Sequence, residues 1–344
     1  MAELCGKRIL IIGGTGSLGR ALIRRLARTN QISIMSRDEA KHWTIRNRLP
    51  QGVDVDFFVG DIRDLERVTR ILLEARPQVI IMAAALKQVE TCENSPQESI
   101  QTNINGISNV VSSVLSLEDR LEEIETVLMV STDKACSPTN VYGMSKAISE
   151  RVVTSAGRGH TRIKFVGVRY GNVLESRGSI IPLFKFQVQS HKYMTVTHQD
   201  MTRFIMTLDE SIDLIQDAIL SANSGEIILP KLKSMKIVDL AEIFSKRFSK
   251  PVKITGIRPG EKLHEELVSN SESLRIQERG KYYCMNPIFQ PVSENLIPFN
   301  YSSADHLIGR QQLESYLEQL GIFEAPLYNF EGREIEEISE DVSL

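Results

Sequence analysis

The stretch "RILIIGGTGSLGRALIRRL", residues 8–26, starts as an apolar strand and breaks into Gly13, Gly14, Gly16 and Gly19. It then continues as a helix with Leu18, Leu22 and Leu26 at four-residue spacing. Between a strand and a helix, such glycines mark a turn tight enough for the backbone to approach a pyrophosphate at the positive helix end. Outward from this unit the alternation repeats: "QISIMS", "DVDFFVG", the helical Leu65, Val68 and Leu72, "QVIIMAAA", a helix on Ile100, Ile104, Ile107, Val111 and Val114, and "ETVLMVST". Strand and helix in alternation predict a parallel sheet covered by helices, with right-handed crossovers placing all strand C-termini on one edge. The fold class is α/β: a doubly wound Rossmann sheet with a smaller C-terminal substrate-binding lobe.

After "RIKFVGVRYGNV" the pattern changes to Pro182, "HKYMTVTHQDMTRF" and a helix on Ile212, Ile215 and Ile219. We read residues 1–172, with a return segment at about 205–232, as the nucleotide lobe. Residues 173–204 and 233–325 form the substrate lobe, and the acidic tail 326–344, lacking a core stripe, is expected to be flexible. In 344 residues, 42% hydrophobic content suits such a two-lobed globule. With 41 basic against 44 acidic residues, no global field draws the chain to nucleic acid or an anionic membrane. Cys5, Cys92, Cys136 and Cys284 form no C-x-x-C pair, so neither a metal site nor a disulfide framework is expected. No leader-like start and no apolar run of about 18 residues is present, so the expected location is cytoplasmic.

Where an NAD-binding unit places an acid after its second strand, this chain has "SRDEAK", with Ser36 and Arg37 first. Arg37 and Lys41 suit the 2′-phosphate of NADP, while Asp38 suits either a helix cap or a ribose contact. Asp61 in "VGDIRD" has two readings, adenine neighbour or N-cap of the helix from Leu65. Tyr142 and Lys146 lie one helical turn apart, so an ammonium can lower the phenol and make it a base; Thr132, ending a strand, is placed to share a substrate hydroxyl. Between them stand Asp133 and Lys134. As an acid and a base they must be neutral; as an ion pair, both are pulled the wrong way.

Taken together, the glycine loop, Thr132, Tyr142 and Lys146 resemble an extended short-chain dehydrogenase/reductase. Further segments narrow the resemblance: "SRDE", "GDIRDLER", "AAALKQVE", "STDKA", "NVYGMSK", "RYGNVLESRGS", "MTRFIMTLDE", "PKLKSMKIVDLA", "GIRPGEKLHEEL" and "FNYSS". In this order, between Gly13 and Ser303, they are similar to the soluble inverting UDP-N-acetylglucosamine 4,6-dehydratases of the pseudaminic acid type. The C5-retaining sugar-nucleotide dehydratases have Thr-Asp-Glu where this chain has Thr132-Asp133-Lys134.

The resemblance implies a tightly bound NADP that is regenerated in each cycle. Its site takes in Gly13, Thr15, Gly16, Ser17, Leu18, Gly19, Ser36, Arg37, Lys41, Asp61, Ile62, Ala83, Lys87, Ser131, Tyr142, Lys146 and Val173. It implies UDP-N-acetylglucosamine as substrate, on Lys87, Asn172, Arg177, Gly178, Ser179, Arg203, Arg258, Glu261 and Tyr301, with Arg203 on a phosphate. In the implied reaction Tyr142 deprotonates the sugar O4, Lys134 takes the C5 proton, Asp133 protonates the leaving C6 hydroxyl, and C5 is reprotonated from the opposite face. Burial beside oxidised nicotinamide and Lys146 is expected to push Lys134 down. Glu175 stands where the family has a small residue, usually Gly, and is expected to narrow the sugar pocket or add charge near the diphosphate. A homo-oligomer, a dimer or dimer-based hexamer, is also implied. Alternatives are a UDP-sugar 4-epimerase, a multifunctional dehydratase/epimerase, or a non-catalytic NADP-binding protein.

Overall fold

The apolar runs become the strands β1 (Arg8–Ile12), β2 (Gln31–Ser36), β3 (Val55–Val59), β4 (Val79–Met82), β5 (Thr126–Thr132), β6 (Lys164–Tyr170) and β7 (Ile227–Pro230). With β8 (Ile276–Arg279) and β9 (Tyr282–Met285) they form one sheet, ordered β8-β9-β7-β6-β5-β4-β1-β2-β3. All seven strands from β3 to β7 are parallel; the β8–β9 hairpin adds to β7 antiparallel. The computed structural model describes residues 3–158, 162–290 and 297–324; the acidic tail 326–344 lies outside the described residues.

Strand side chains alternate between faces, so each face has its own core. Ile9, Ile11, Ile32, Ile34, Leu128 and Val166 point to one layer, and Leu10, Ile12, Met35, Val127, Met129 and Phe165 to the other. The first face is covered by helices α1 (Ser17–Leu26), through Leu22 and Leu26, and a later helix (Leu208–Ser221), through Ile212, Ile215 and Ile219. On the second lie α2 (Leu65–Ala75), α3 (Gly106–Ser116) and α4 (Val141–Ala156), with Val68, Leu72, Ile107, Val111 and Val114 buried. The stripe expected from Ile100 begins later: Ile100 is 37% exposed, because the wide π turn Ile100–Asn105 rotates it off the buried line.

Two open capping questions are decided. Asp38 caps the helix Glu39–Arg46, accepting from Lys41 N at 3.1 Å. Asp64, not Asp61, caps α2, accepting from Arg67 N at 2.9 Å. The smaller lobe has a third core, including Phe184, Phe244, Leu313 and Leu317, beside the sheet Lys233–Lys236, Thr202–Met206 and Asn172–Val173.

Arg169, on β6 and 1% exposed, joins the parts. It reaches Glu150 of α4 at 2.6 Å and Glu272, from the segment after the Glu266–Val268 strand, at 2.8 Å. Burial alone would raise the Glu272 carboxyl, but Arg169 outweighs it and holds Glu272 down at about 2. A depressed carboxylate stabilises the fold above its unfolded value, near 4.5, and that contribution is lost as pH falls through about 2. Glu272→Gln is therefore expected to remove on the order of 3 kcal/mol at neutral pH and to flatten the acid limb of stability in that window. Urea unfolding across pH checks this, and an unchanged acid slope would count against it.

Candidate active site

The strand order reverses between β1 and β4, so their C-terminal ends splay above α1 and open a crevice. A cavity of about 1060 Å³ fills it. On the cofactor side it is lined by Gly13, Gly16, Ser17, Leu18, Gly19, Ala83, Ser131 and Val173. Lys87, Asn172, Gly178, Ser179, Arg258 and Glu261, expected to meet a substrate, line the same cavity. Thr132, Asp133, Lys134, Tyr142 and Lys146 also face into the cavity.

A nicotinamide dinucleotide suits this crevice. Gly13 has φ +94°, and a Cβ there would lie 2.6 Å from Ala84 N, so only glycine lets the β1 turn run this close to β4. The start of α1 has no side-chain cap and no acid in its first turn, leaving its positive end for an anion. Ser36, Arg37 and Asp61 share the same sheet edge, at the ends of β2 and β3, outside the cavity lining. Ser36 Oγ lies 2.7 Å from His42 Nε2, and Arg37 sits 3.9 Å from Asp61, which Arg63 binds at 2.7 Å. Lys41 is paired with Asp38 at 2.6 Å. Thr15 is buried beside the loop, and Ile62 is packed in the second core.

Local structure sets the reacting groups. Thr132 ends β5 and caps the 3-10 turn Asp133–Ala135, its hydroxyl accepting from Lys134 N at 3.4 Å and donating to Asp133 Oδ1 at 3.0 Å. Asn140 caps α4, accepting from Gly143 N at 2.8 Å, while Glu93 accepts from Val141 N at 2.6 Å. Gly143 packs this helix start against the turn: a Cβ would lie 2.2 Å from the Lys134 carbonyl oxygen. Only that close approach brings Tyr142 over Asp133 and Lys134. The helical glycine in "VYGMSK" is the signal that could have identified it.

The charges differ from expectation. Lys134 Nζ lies 3.1 Å from both Asp133 Oδ1 and Glu265 Oε1. Burial favours a neutral amine, but the two carboxylates outweigh it and raise Lys134. The expected depression of Lys134 is thus corrected: it is an ammonium here. Asp133, 1% exposed, is raised by burial and further by Glu265, the direction an acid requires. Burial pushes Tyr142 up to about 12, and Lys134, rather than Lys146, is the cation drawing it down. Lys146 is pushed down to about 8 by burial and donates to Val130 O at 2.7 Å. Glu265 lies in "GIRPGEKLHEEL", where nothing local distinguishes it from Glu266.

Several substrate assignments change. Arg203 does not line the cavity; it donates to Thr202 O at 2.7 Å and lies 3.9 Å from Glu265, so it balances buried charge instead of facing a phosphate. Tyr301 is buried on Phe204 and donates to Leu232 O at 2.8 Å. Arg177 is behind the lining, its N–H on Ser17 Oγ and its carbonyl accepting from Lys87 Nζ at 2.8 Å. Glu175 leaves the sugar pocket alone: it pairs with Lys185 at 2.9 Å. Its φ of +60° explains why glycine suits the position. Asn172 Oδ1 and Ser179 Oγ, buried with no hydrogen-bond partner, line the cavity as sites a ligand can satisfy.

A family model described as polysaccharide biosynthesis protein matches residues 9–287. The chain is 37% identical over 295 residues to a UDP-N-acetylglucosamine 4,6-dehydratase (inverting) of Campylobacter jejuni, covering 84% of this chain and 85% of that protein. It is 38% identical over 287 residues to a UDP-glucose 4-epimerase of Rickettsia bellii, covering 80% and 82%. The solved structure of Pen from Bacillus thuringiensis superposes with a TM-score of 0.83 at 31% identity, covering 91% of this chain and 98% of that one.

Gly16 tests the cradle without disturbing the fold, since a Cβ there meets nothing nearer than Gly13 O at 3.4 Å. Gly16→Ala is expected to keep the fold and weaken binding of a nicotinamide dinucleotide at least about tenfold by calorimetric titration. Unchanged binding would place the pyrophosphate elsewhere.

Proposed function

Because the chain belongs to the polysaccharide biosynthesis protein family, we propose that it is a UDP-N-acetylglucosamine 4,6-dehydratase that inverts C5. Its product is a UDP-2-acetamido-2,6-dideoxy-L-arabino-hexos-4-ulose. The observation that carries this reading is the trio of Asp133, Lys134 and Tyr142 in one cleft, with buried Asp133 and half-buried Lys134 paired at 3.1 Å. A simple 4-epimerisation needs neither an acid for C6 nor a base for C5. The name of the Campylobacter jejuni relative supports the same choice.

The chemistry a bound nicotinamide dinucleotide supplies in this cleft is reversible storage of one hydride. Gly13, Gly16, Gly19 and Ser17 would hold its phosphates, and Lys146 with Ser131 its inner end. NADP is the finer reading: Ser36 replaces an acid, and Arg37 is an exposed guanidinium whose carboxylate contact is a loose 3.9 Å. Tyr142 Oη takes the proton of the sugar O4, with the ammonium of Lys134 favouring the phenolate. A carbonyl at C4 acidifies the C5 proton, and Lys134 Nζ receives it as the ammonium gives up one of its own protons to a neighbouring carboxylate. Asp133, whose hold on a proton burial strengthens, delivers that proton to the C6 oxygen as water departs.

Arg258 and Glu261 suit the diphosphate and ribose ends of a UDP-sugar. The finer reading also takes the protein as a cytoplasmic homo-oligomer. Among the described residues no helix is long and apolar enough to cross a membrane, and the four cysteines are free. Met144 and Ile148, one turn apart and exposed on α4, offer apolar surface to a second copy.

In heavy water with UDP-N-acetylglucosamine, NMR is expected to show a new methyl group and deuterium at C5, with the wild-type protein and not with Lys134→Met. A 4-epimer without a methyl signal would favour the epimerase reading. Full dehydration by Lys134→Met would remove Lys134 from the mechanism.

A further inference from the structure

Lys134 must give up a proton before it can take one from C5, yet two carboxylates flank it. Glu265 is 2% exposed, lies 3.1 Å from Lys134 Nζ, and its Oε2 is buried without a hydrogen-bond partner. Asp133 Oδ2 is likewise buried and without a partner. One ammonium therefore touches two buried carboxylates, and burial drives the one with the weaker cationic support towards protonation. Other charges decide which one keeps its proton. Arg203, from the Thr202–Met206 strand, sits 3.9 Å from Glu265, and Lys262 also acts on Glu265. Facing Asp133 are the phenol of Tyr142 from α4, the Thr132 hydroxyl and Gly171, whose Cβ would lie 3.3 Å from Oδ2; none of these is a cation.

We propose that Glu265 is the positioning residue of this site: it stays ionised against Lys134 and Arg203, keeps the shared proton on Asp133, and accepts the proton that Lys134 sheds. The inference rests on the dehydratase reading for its step. A Lys134 N–H bond breaks as a Glu265 O–H bond forms across 3.1 Å, while the C5–H proton moves to Nζ. The C5–H electron pair stays on the sugar and expels the C6 oxygen, which leaves as water with the proton of Asp133. Charge balances: Glu265 becomes neutral, Asp133 becomes anionic, and Lys134 ends as an ammonium.

The charge arrangement can be read without substrate, as the carboxylic-acid carbonyl band of Asp133 in infrared difference spectra of the wild type against Asp133→Asn. At neutral pH the wild type is expected to show this band. In Glu265→Gln the Asp133 midpoint is expected to fall by at least one pH unit, a tenfold change in its proton affinity. With UDP-N-acetylglucosamine, the same variant is expected to lose water at least tenfold more slowly, to recover part of that rate at lower pH, and to retain reduction of the bound nicotinamide. Glu265→Asp, which keeps the charge, is expected to retain the band and to restore part of the rate. No Asp133 band in the wild type, or an unmoved midpoint in Glu265→Gln, overturns the proposal. Should Glu265→Gln not fold, loss of the band in Glu265→Asp would overturn it as well. A wild type that shows the band but never releases water would sink the dehydratase reading while leaving the placement of the proton intact.

Discussion

The guanidinium of Arg169 is the contact on which the arrangement of the site depends. Its five N–H donors all find acceptors: both oxygens of Glu150, both of Glu272, and the carbonyl of Leu267. Such saturation is what makes a fully buried charge tolerable, since its Coulombic gain must outweigh the loss of water. The contact joins three parts of the chain: β6, which carries Arg169, α4, which carries Glu150 with Tyr142 and Lys146, and the segment following Glu265, which carries Leu267 and Glu272. Cys136, just past the catalytic turn, donates to Glu272 as well. The position of Glu265 against Lys134 is thus tied through Arg169 to the helix that places Tyr142.

Within that frame, the adjacent opposite charges at the end of β5 become intelligible. In water, an aspartate next to a lysine is a weak ion pair. Here the end of the strand, Gly143 and the substrate lobe together remove most of the water, and the same two groups perturb each other strongly. Lys134 acts in three directions, on Asp133, on Glu265 and on the Tyr142 phenol. A single ammonium thereby links the three groups of the proposed mechanism.

The corrections share one cause. Arg203, Tyr301 and Glu175 lie in segments that resemble a nucleotide-sugar site, and each turns away from the cavity to satisfy a buried partner: Glu265, the Leu232 carbonyl and Lys185. Asp61 behaves similarly, bound to Arg63 while Asp64 takes the cap. Residue type and approximate position were legible for all of them; the direction of each side chain was not, because it depends on what the opposing element presents.

The sequence by itself determined the parallel sheet, the glycine turn between β1 and α1, and the spacing of Thr132, Tyr142 and Lys146. Those features rest on short-range rules: two-residue and 3.6-residue periodicity, the steric freedom of glycine, and one-turn spacing on a helix. Only the tertiary structure decided the charge of Lys134, the placement of Glu265 and Arg203 beside it, and the rotation of Ile100 off the core. Each of these depends on electrostatic or packing partners brought together from distant parts of the chain, where burial strengthens interactions that no local pattern encodes.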